Sequence, residues 1–308
     1  MQLNYNIIWI DDEINKLKAS GDLDQVLDFL RELGFNPNLL PLKDGADITK
    51  YFDEIKYDLI ISDYNIQDGQ QGDSIIKELR DRKINNEVLF YSSQTNLKEI
   101  AVKLLGYDRI SFHSGRRGLI EKIEDLISLS VSKLLELNAT RGLITSETSE
   151  LDVIIEQIVM DLAYNKLKLT DDTLSQIVEE YIEGFLRKSP DKLMAKYQEL
   201  GFEKFFHKIE ANRKWGIFRD LLKKNPTDEV LTFLDINKTY GDDVIGVRNK
   251  FAHSKSIIKD GTLHLAGFGQ DGEAYVCDDK QCISIRKKLI THRESFLGLA
   301  DHLSVKLD

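Results

Sequence analysis

The apolar positions of the first half fall in short runs that alternate with amphipathic stretches. Residues 5–10 (YNIIWI) are apolar and end abruptly in Asp11, Asp12 and Glu13. Residues 38–42, 57–62, 88–93 and 109–112 repeat the apolar run, with 57–62 closing on Asp63 and 88–93 on Ser92 and Ser93. Between them, residues 23–33, 48–55 and 96–105 carry helical spacing, as does a segment running to Arg80, and a long helix starts near Gly118. Five strand-then-helix units predict an α/β doubly wound sheet of five parallel strands.

The pattern changes towards the middle of the chain. Ile120, Ile123, Ile127, Leu134 and Leu137 alternate spacings of three and four with Ser130 in the sixth slot, a short seam that a second chain would cover. Residues 142–149, rich in small polar side chains, read as a hinge. Helices are then expected at about 150–165, 171–188, 191–208, 211–224, 227–237, 242–254 and 280–305, interrupted by a β-hairpin within 262–277. The expected organisation is an α/β unit over 1–127, a linker helix and hinge over 128–145, and an all-α bundle with a small hairpin over 146–308. Phe202, Phe205, Phe206, Trp215 and Phe218 are read as bundle core.

Composition narrows the classes. The chain has 308 residues, 42% hydrophobic and 31% charged, which describes a soluble globular protein of two domains. A net charge of −10 argues against a general nucleic-acid coat, so any RNA contact must be local. Basic clusters at Lys204 to Lys224 and at Arg286 to Arg293 put the tolerance for a phosphate backbone in the second half. No signal pattern and no span-length apolar run is present, so a cytoplasmic address and no membrane partner are expected. Cys277 and Cys282 are too few for a zinc site and read as reduced structural thiols. No Walker loop, nucleophile elbow or HExxH occurs.

The candidate chemistry lies in two places. Residues 241–256 (GDDVIGVRNKFAHSKS) set Arg248, Asn249 and His253 on a helix whose apolar face is Val244, Ile245, Val247 and Phe251. An Arg and a His five residues apart differ by about 7.5 Å of rise and about 140° of rotation, so they flank one groove, a spacing that suits a phosphodiester better than a metal ion. Imidazole moves protons near neutrality and guanidinium steadies charge on phosphoryl oxygens, which fits cleavage of RNA by its own 2′-hydroxyl without a metal. The Asn249 amide is expected to hold a phosphate oxygen or to orient His253. Arg286 and His292 satisfy a similar spacing. Arg, then Asn, three residues and His near a helix end resembles the RNxxxH form of the HEPN ribonuclease family, over roughly 146–308. That resemblance implies a homodimer whose paired motifs form one metal-independent endoribonuclease site, with catalytic Arg248, His253 and Asn249, often in toxin or antiviral defence.

In the first half, Asp11, Asp12 and Asp63 are expected to meet at the carboxyl edge of the sheet beside the Ser92 hydroxyl. Clustered carboxylates repel unless neutralised, so a Mg²⁺ site on Asp12 and Asp63 is the natural inference. IIWIDDE, DLIISDYNIQDG and VLFYSS resemble the response-regulator receiver family over about residues 4–127. The resemblance implies Asp63 as phosphate acceptor, Asp11 and Asp12 as acidic-pocket partners of Mg²⁺, Ser92 as switch hydroxyl, and a histidine kinase or another sensor or defence protein as partner. The chain departs from the family at ISFHSG, where His113 stands in place of the usual Lys. Phosphorylation of Asp63 and sensing by protein contact or another ligand therefore both stand open. A non-catalytic regulator, in which the bundle binds a partner or ligand, is the alternative to the ribonuclease. No helix-turn-helix supports DNA as a partner.

Overall fold

The computed structural model describes residues 3–44, 48–64, 66, 72–92, 97–132, 137–185, 190–253, 255–259, 262–266, 275–276 and 278–307. The chain divides into two compact units, Gln2–Glu136 and Leu137–Asp308.

The first unit is built from β1 (Asn4–Ile10), α1 (Ile14–Ser20), α2 (Asp22–Glu32), β2 (Asn36–Leu42), α3 (Ile48–Glu54), β3 (Leu59–Asp63), α4 (Gly72–Asp81), β4 (Glu87–Ser92), α5 (Leu97–Lys103), β5 (Ile110–Ser114) and α6 (Leu119–Ser132). The strands form one all-parallel sheet in the order β2-β1-β3-β4-β5, as the strand-then-helix alternation requires. Every described residue of β1 after Asn4 is buried, which explains why the run is apolar without alternation. Pro37 and Pro41 lie on β2, an edge strand, where a missing N–H interrupts no interior ladder. Ile8, Ile10, Ile60, Val88 and Phe90 make one core layer with Ile75, Ile76 and Leu79 of α4 and Ile100 of α5. Along the expected seam, Ile123 and Ile127 of α6 are buried within this unit, and the Ser130 hydroxyl lies 2.8 Å from that of Tyr5 on β1. That part of α6 is therefore covered by its own unit, while Leu134 and the Leu137 side chain fall outside the description.

The second unit opens with α7 (Leu137–Met160), which continues through a π-helical turn, Asp161–Lys166. The expected hinge at 142–149 is continuous helix inside α7. Leu143, Ile144 and Leu151 are buried along it, and the hydroxyls of Thr145, Thr148 and Ser149 donate to carbonyls four residues earlier, which satisfies them within the helix. There follow α8 (Asp171–Phe185), α9 (Pro190–Lys208), α10 (Ala211–Lys223) and α11 (Asp228–Ile236). Within α9 the helix breaks at Gly201, whose φ of 72° few other residues adopt. A second π-helical turn, Gly241–Gly246, feeds α12 (Val247–His253). Then come β6 (Lys255–Lys259), β7 (Thr262–Ala266), β8 (Tyr275–Val276) and α13 (Asp279–His302). The expected hairpin is present as the antiparallel β7–β8 pair. A further strand, β6, pairs with the other edge of β7.

The core of this unit is aromatic. Trp215, Phe218, Phe233, Tyr240 and Phe296 interlock with ring centroids between 4.7 and 6.3 Å apart. Phe202, Phe205 and Phe206 are buried as well. Thr227 accepts from the Val230 N–H and Asp278 from that of Gln281, which caps α11 and α13. Tyr240 immediately precedes the π-helical turn, so the aromatic cluster sets the entry of the chain into α12.

Candidate functional site

On the π-helical turn and α12 the apolar positions fall where the sequence puts them: Val244, Ile245, Val247 and Phe251 are buried. Arg248 and Asn249 are half-buried beside that face. The Asn249 Oδ1 accepts from Arg248 Nε at 3.3 Å and Nη2 at 3.0 Å, so the amide holds the guanidinium. His253 is the last residue of α12; its side chain lies outside the description. A cleft of about 600 Å³ opens between α12 and α7, lined by Phe251 and Ala252 on one side and by Arg141, Thr145 and Ser146 on the other.

Behind the motif runs a charged strip that the sequence reading missed. Burial pushes the Asp152 carboxyl of α7 above the usual carboxylate range, against the opposite pull of Lys214 and Arg248. One helical turn further, Glu156 takes Lys214 Nζ on one oxygen and His207 Nδ1 on the other. Tyr240 is fully buried; burial, with the Asp152 carboxylate adding to it, raises its phenol well above the ordinary value. The available signal was two carboxylates spaced i,i+4 on the helix opposite the Arg.

The other Arg-to-His match has a different fate. Arg286 is 0% exposed and His292 3% exposed on α13. The His292 Nδ1 lies 2.8 Å from Asn237 Oδ1, and the Asn237 amide donates to Ser295 Oγ at 2.8 Å and to the Phe233 carbonyl at 2.9 Å. Asp243, 3.5 Å from His292 Nε2, is held by Lys288 and Thr239. This is a packed structural network. Burial lowers the His292 pKa, outweighing the pull of Asp243. An imidazole with a lowered native pKa stabilises the fold fully above about pH 6.5, and that contribution is lost as the pH falls through the native value, because the unfolded chain then binds the extra proton. Urea midpoints of the C-terminal unit should accordingly fall between pH 7.5 and 5.5, with a smaller fall in His292→Gln; an equal fall in both would assign the pH dependence elsewhere.

In the first unit the three expected carboxylates do converge: Asp11, Asp12 and Asp63 bring oxygens within 4.8 Å of one another at the carboxyl edge of the sheet. Asp11 is 0% exposed. Its Oδ1 accepts the Glu13 N–H at 2.6 Å, and its Oδ2 accepts the Tyr91 hydroxyl, which in turn accepts from Trp9 Nε1 at 3.0 Å. Arg116 Nη2 reaches both oxygens, at 3.4 and 3.2 Å, and lies 2.9 Å from Glu13 Oε2. Lys16 foremost, with Arg116 behind it, holds the Glu13 carboxyl below the usual range. Burial, with Asp11 and then Asp63 adding to it, pushes the Tyr91 phenol up. Ser92 is buried next to Tyr91, and its carbonyl accepts from Gly115 at 2.8 Å, in a turn where Gly115 has a φ of 73°. His113 turns its Nε2 to the Arg117 carbonyl at 2.9 Å. The cation seen in the pocket is therefore Arg116, three residues beyond the position examined in the sequence; the signal was the SGRRG segment after β5.

A hard cation asks for free carboxylate oxygens. Asp12 and Asp63 are donors of the right kind. Asp11 is not, since two oxygens with about four lone-pair sites already receive four donor contacts.

No family model and no curated protein matches the chain. Among solved structures, the RcsB response regulator of Salmonella typhimurium, described for conformational dynamism in DNA interaction, matches at 15% identity over 76% of this chain and 98% of that one, with a TM-score of 0.32. The class of the N-terminal unit rests on its own topology: five parallel strands in the order 2-1-3-4-5 with the acidic cluster at their carboxyl edge make it receiver-like. A mostly helical second unit follows it. Among the described residues, no helix is long and apolar enough to cross a membrane.

Proposed function

We propose that the chain is a metal-independent endoribonuclease of HEPN type, controlled by its receiver-like unit. The observation that carries this reading is the contrast between the two Arg-to-His matches. Arg286 and His292 are consumed by the core, whereas Arg248 is half-exposed, pre-oriented by Asn249, on the helix that borders the cleft. In the proposed reaction the RNA 2′-oxygen attacks phosphorus, the P–O5′ bond breaks, and the 2′-hydroxyl proton leaves to a base while the 5′-oxygen gains one. His253 is assigned a proton-transfer role and Arg248 the charge on the phosphoryl oxygens. One imidazole cannot serve as base and acid at the same instant, so two copies pairing their motifs about a two-fold axis complete the site in this reading.

Purified protein incubated with single-stranded RNA should yield 2′,3′-cyclic phosphate and 5′-hydroxyl ends at the same rate with and without EDTA, and the rate per chain should fall on dilution below the dimer dissociation constant. Abolition of cleavage by EDTA would remove the metal-independent mechanism. A second reading, the non-catalytic regulator, draws on the neighbours of Arg248: with the Asp152 carboxyl coupled to it and the neutral Asn249 amide accepting from it, the guanidinium can serve as structural glue. Absence of any RNA cleavage, together with loss of stability in Arg248→Ala, would favour that reading.

A further inference from the structure

We propose that Arg116 is the resident cation of the acidic pocket, so that the N-terminal unit holds Asp11, Asp12 and Asp63 together without a divalent ion. This does not rest on the ribonuclease reading. Three carboxylates brought within 4.8 Å of one another at a sheet edge repel, and something must offset their charge. The structure supplies that charge from the chain itself. Arg116 contacts both oxygens of Asp11 and one of Glu13, and it lies in the turn after β5 between Gly115 and Gly118, both at positive φ. The roughly four acceptor sites of Asp11 meet the Glu13 N–H, the Tyr91 hydroxyl and two contacts from Arg116. A Mg²⁺ ion needs near-octahedral oxygen geometry and here would meet the Asp12 and Asp63 carboxylates beside a fixed positive charge.

The side chain of Arg116 is 39% exposed, so removing it leaves the sheet and its core intact. Magnesium chloride titrated calorimetrically into the full-length protein should show no saturable binding in the millimolar range. Arg116→Ala, or Arg116→Gln if the first variant fails to fold, should gain Mg²⁺ binding by about tenfold or more, the scale set by one unit charge beside a divalent ion near a surface. The gained site should vanish when Asp63→Asn is added. Arg116→Ala should also melt at a lower temperature and recover with Mg²⁺, which loss of a merely structural contact does not produce, while Arg116→Lys should behave as the parent. Equal Mg²⁺ affinity in the parent and Arg116→Ala, or no gain and no recovery in either neutral variant, would overturn the assignment.

Discussion

His253→Ala lowers the rate of RNA cleavage by about 10²–10⁴-fold, the usual worth of a general acid or base, with the urea midpoint of the C-terminal unit unchanged. His is the side chain whose proton moves near neutral pH, and His253 closes a seven-residue helix in which Val247 and Phe251 are buried. Arg248→Ala should cost a comparable factor through lost stabilisation of the phosphoryl charge. Arg248→Lys should recover little of it, because an ammonium lacks the forked donors that Asn249 orients. Asn249→Ala should cost less than either, since it acts on the guanidinium and leaves the charge in place. Product analysis by end-labelled RNA reads all four variants. A His253→Ala, Arg248→Ala double variant that cuts as fast as the parent would end the ribonuclease reading. Arg286→Ala and His292→Ala, which match the same loose spacing, should instead register as unfolding, since both side chains are buried.

Phe296→Ala removes the ring around which the aromatic core of the second unit is assembled. Phe296 is fully buried and touches Trp215, Phe218, Phe233 and Tyr240. Truncating a large aromatic in a core that cannot collapse costs about 3–5 kcal/mol. With two compact units, urea should give two transitions, and only that of the C-terminal unit should move. Because Tyr240 leads directly into the π-helical turn before α12, cleavage should fall with this variant even at urea concentrations where the unit is still folded. A shift of both transitions together would mean that the two units unfold as one.

The parallel sheet was legible because strands buried on both faces must be nearly continuous apolar runs, and the three inner strands β1, β3 and β4 are such runs, each ended by polar residues at the sheet edge. The same local logic determined α10, α11, α13 and the apolar face of α12, where 3.6-residue spacing and capping residues mark the ends. It also brought Asp11, Asp12 and Asp63 to one edge, since ligand-bearing residues of an open α/β sheet gather at the carboxyl ends of its strands. Local pattern misled at 142–149. Small polar residues there read as a break, but their hydroxyls bond back along the helix while Leu143, Ile144 and Leu151 pack on the core.

Two decisions belonged to the tertiary structure alone. Spacing makes Arg248 to His253 and Arg286 to His292 look alike; only the packing of α13 against α7 and α11 puts the second pair inside, where Asn237 and Asp243 take up the imidazole. The sequence also puts His113 where the receiver family carries its Lys. The turn framed by Gly115 and Gly118 instead sends that ring to the Arg117 carbonyl and swings Arg116 over Asp11. In both cases the deciding quantity is which side of an element meets another element, and that depends on residues distant in the chain.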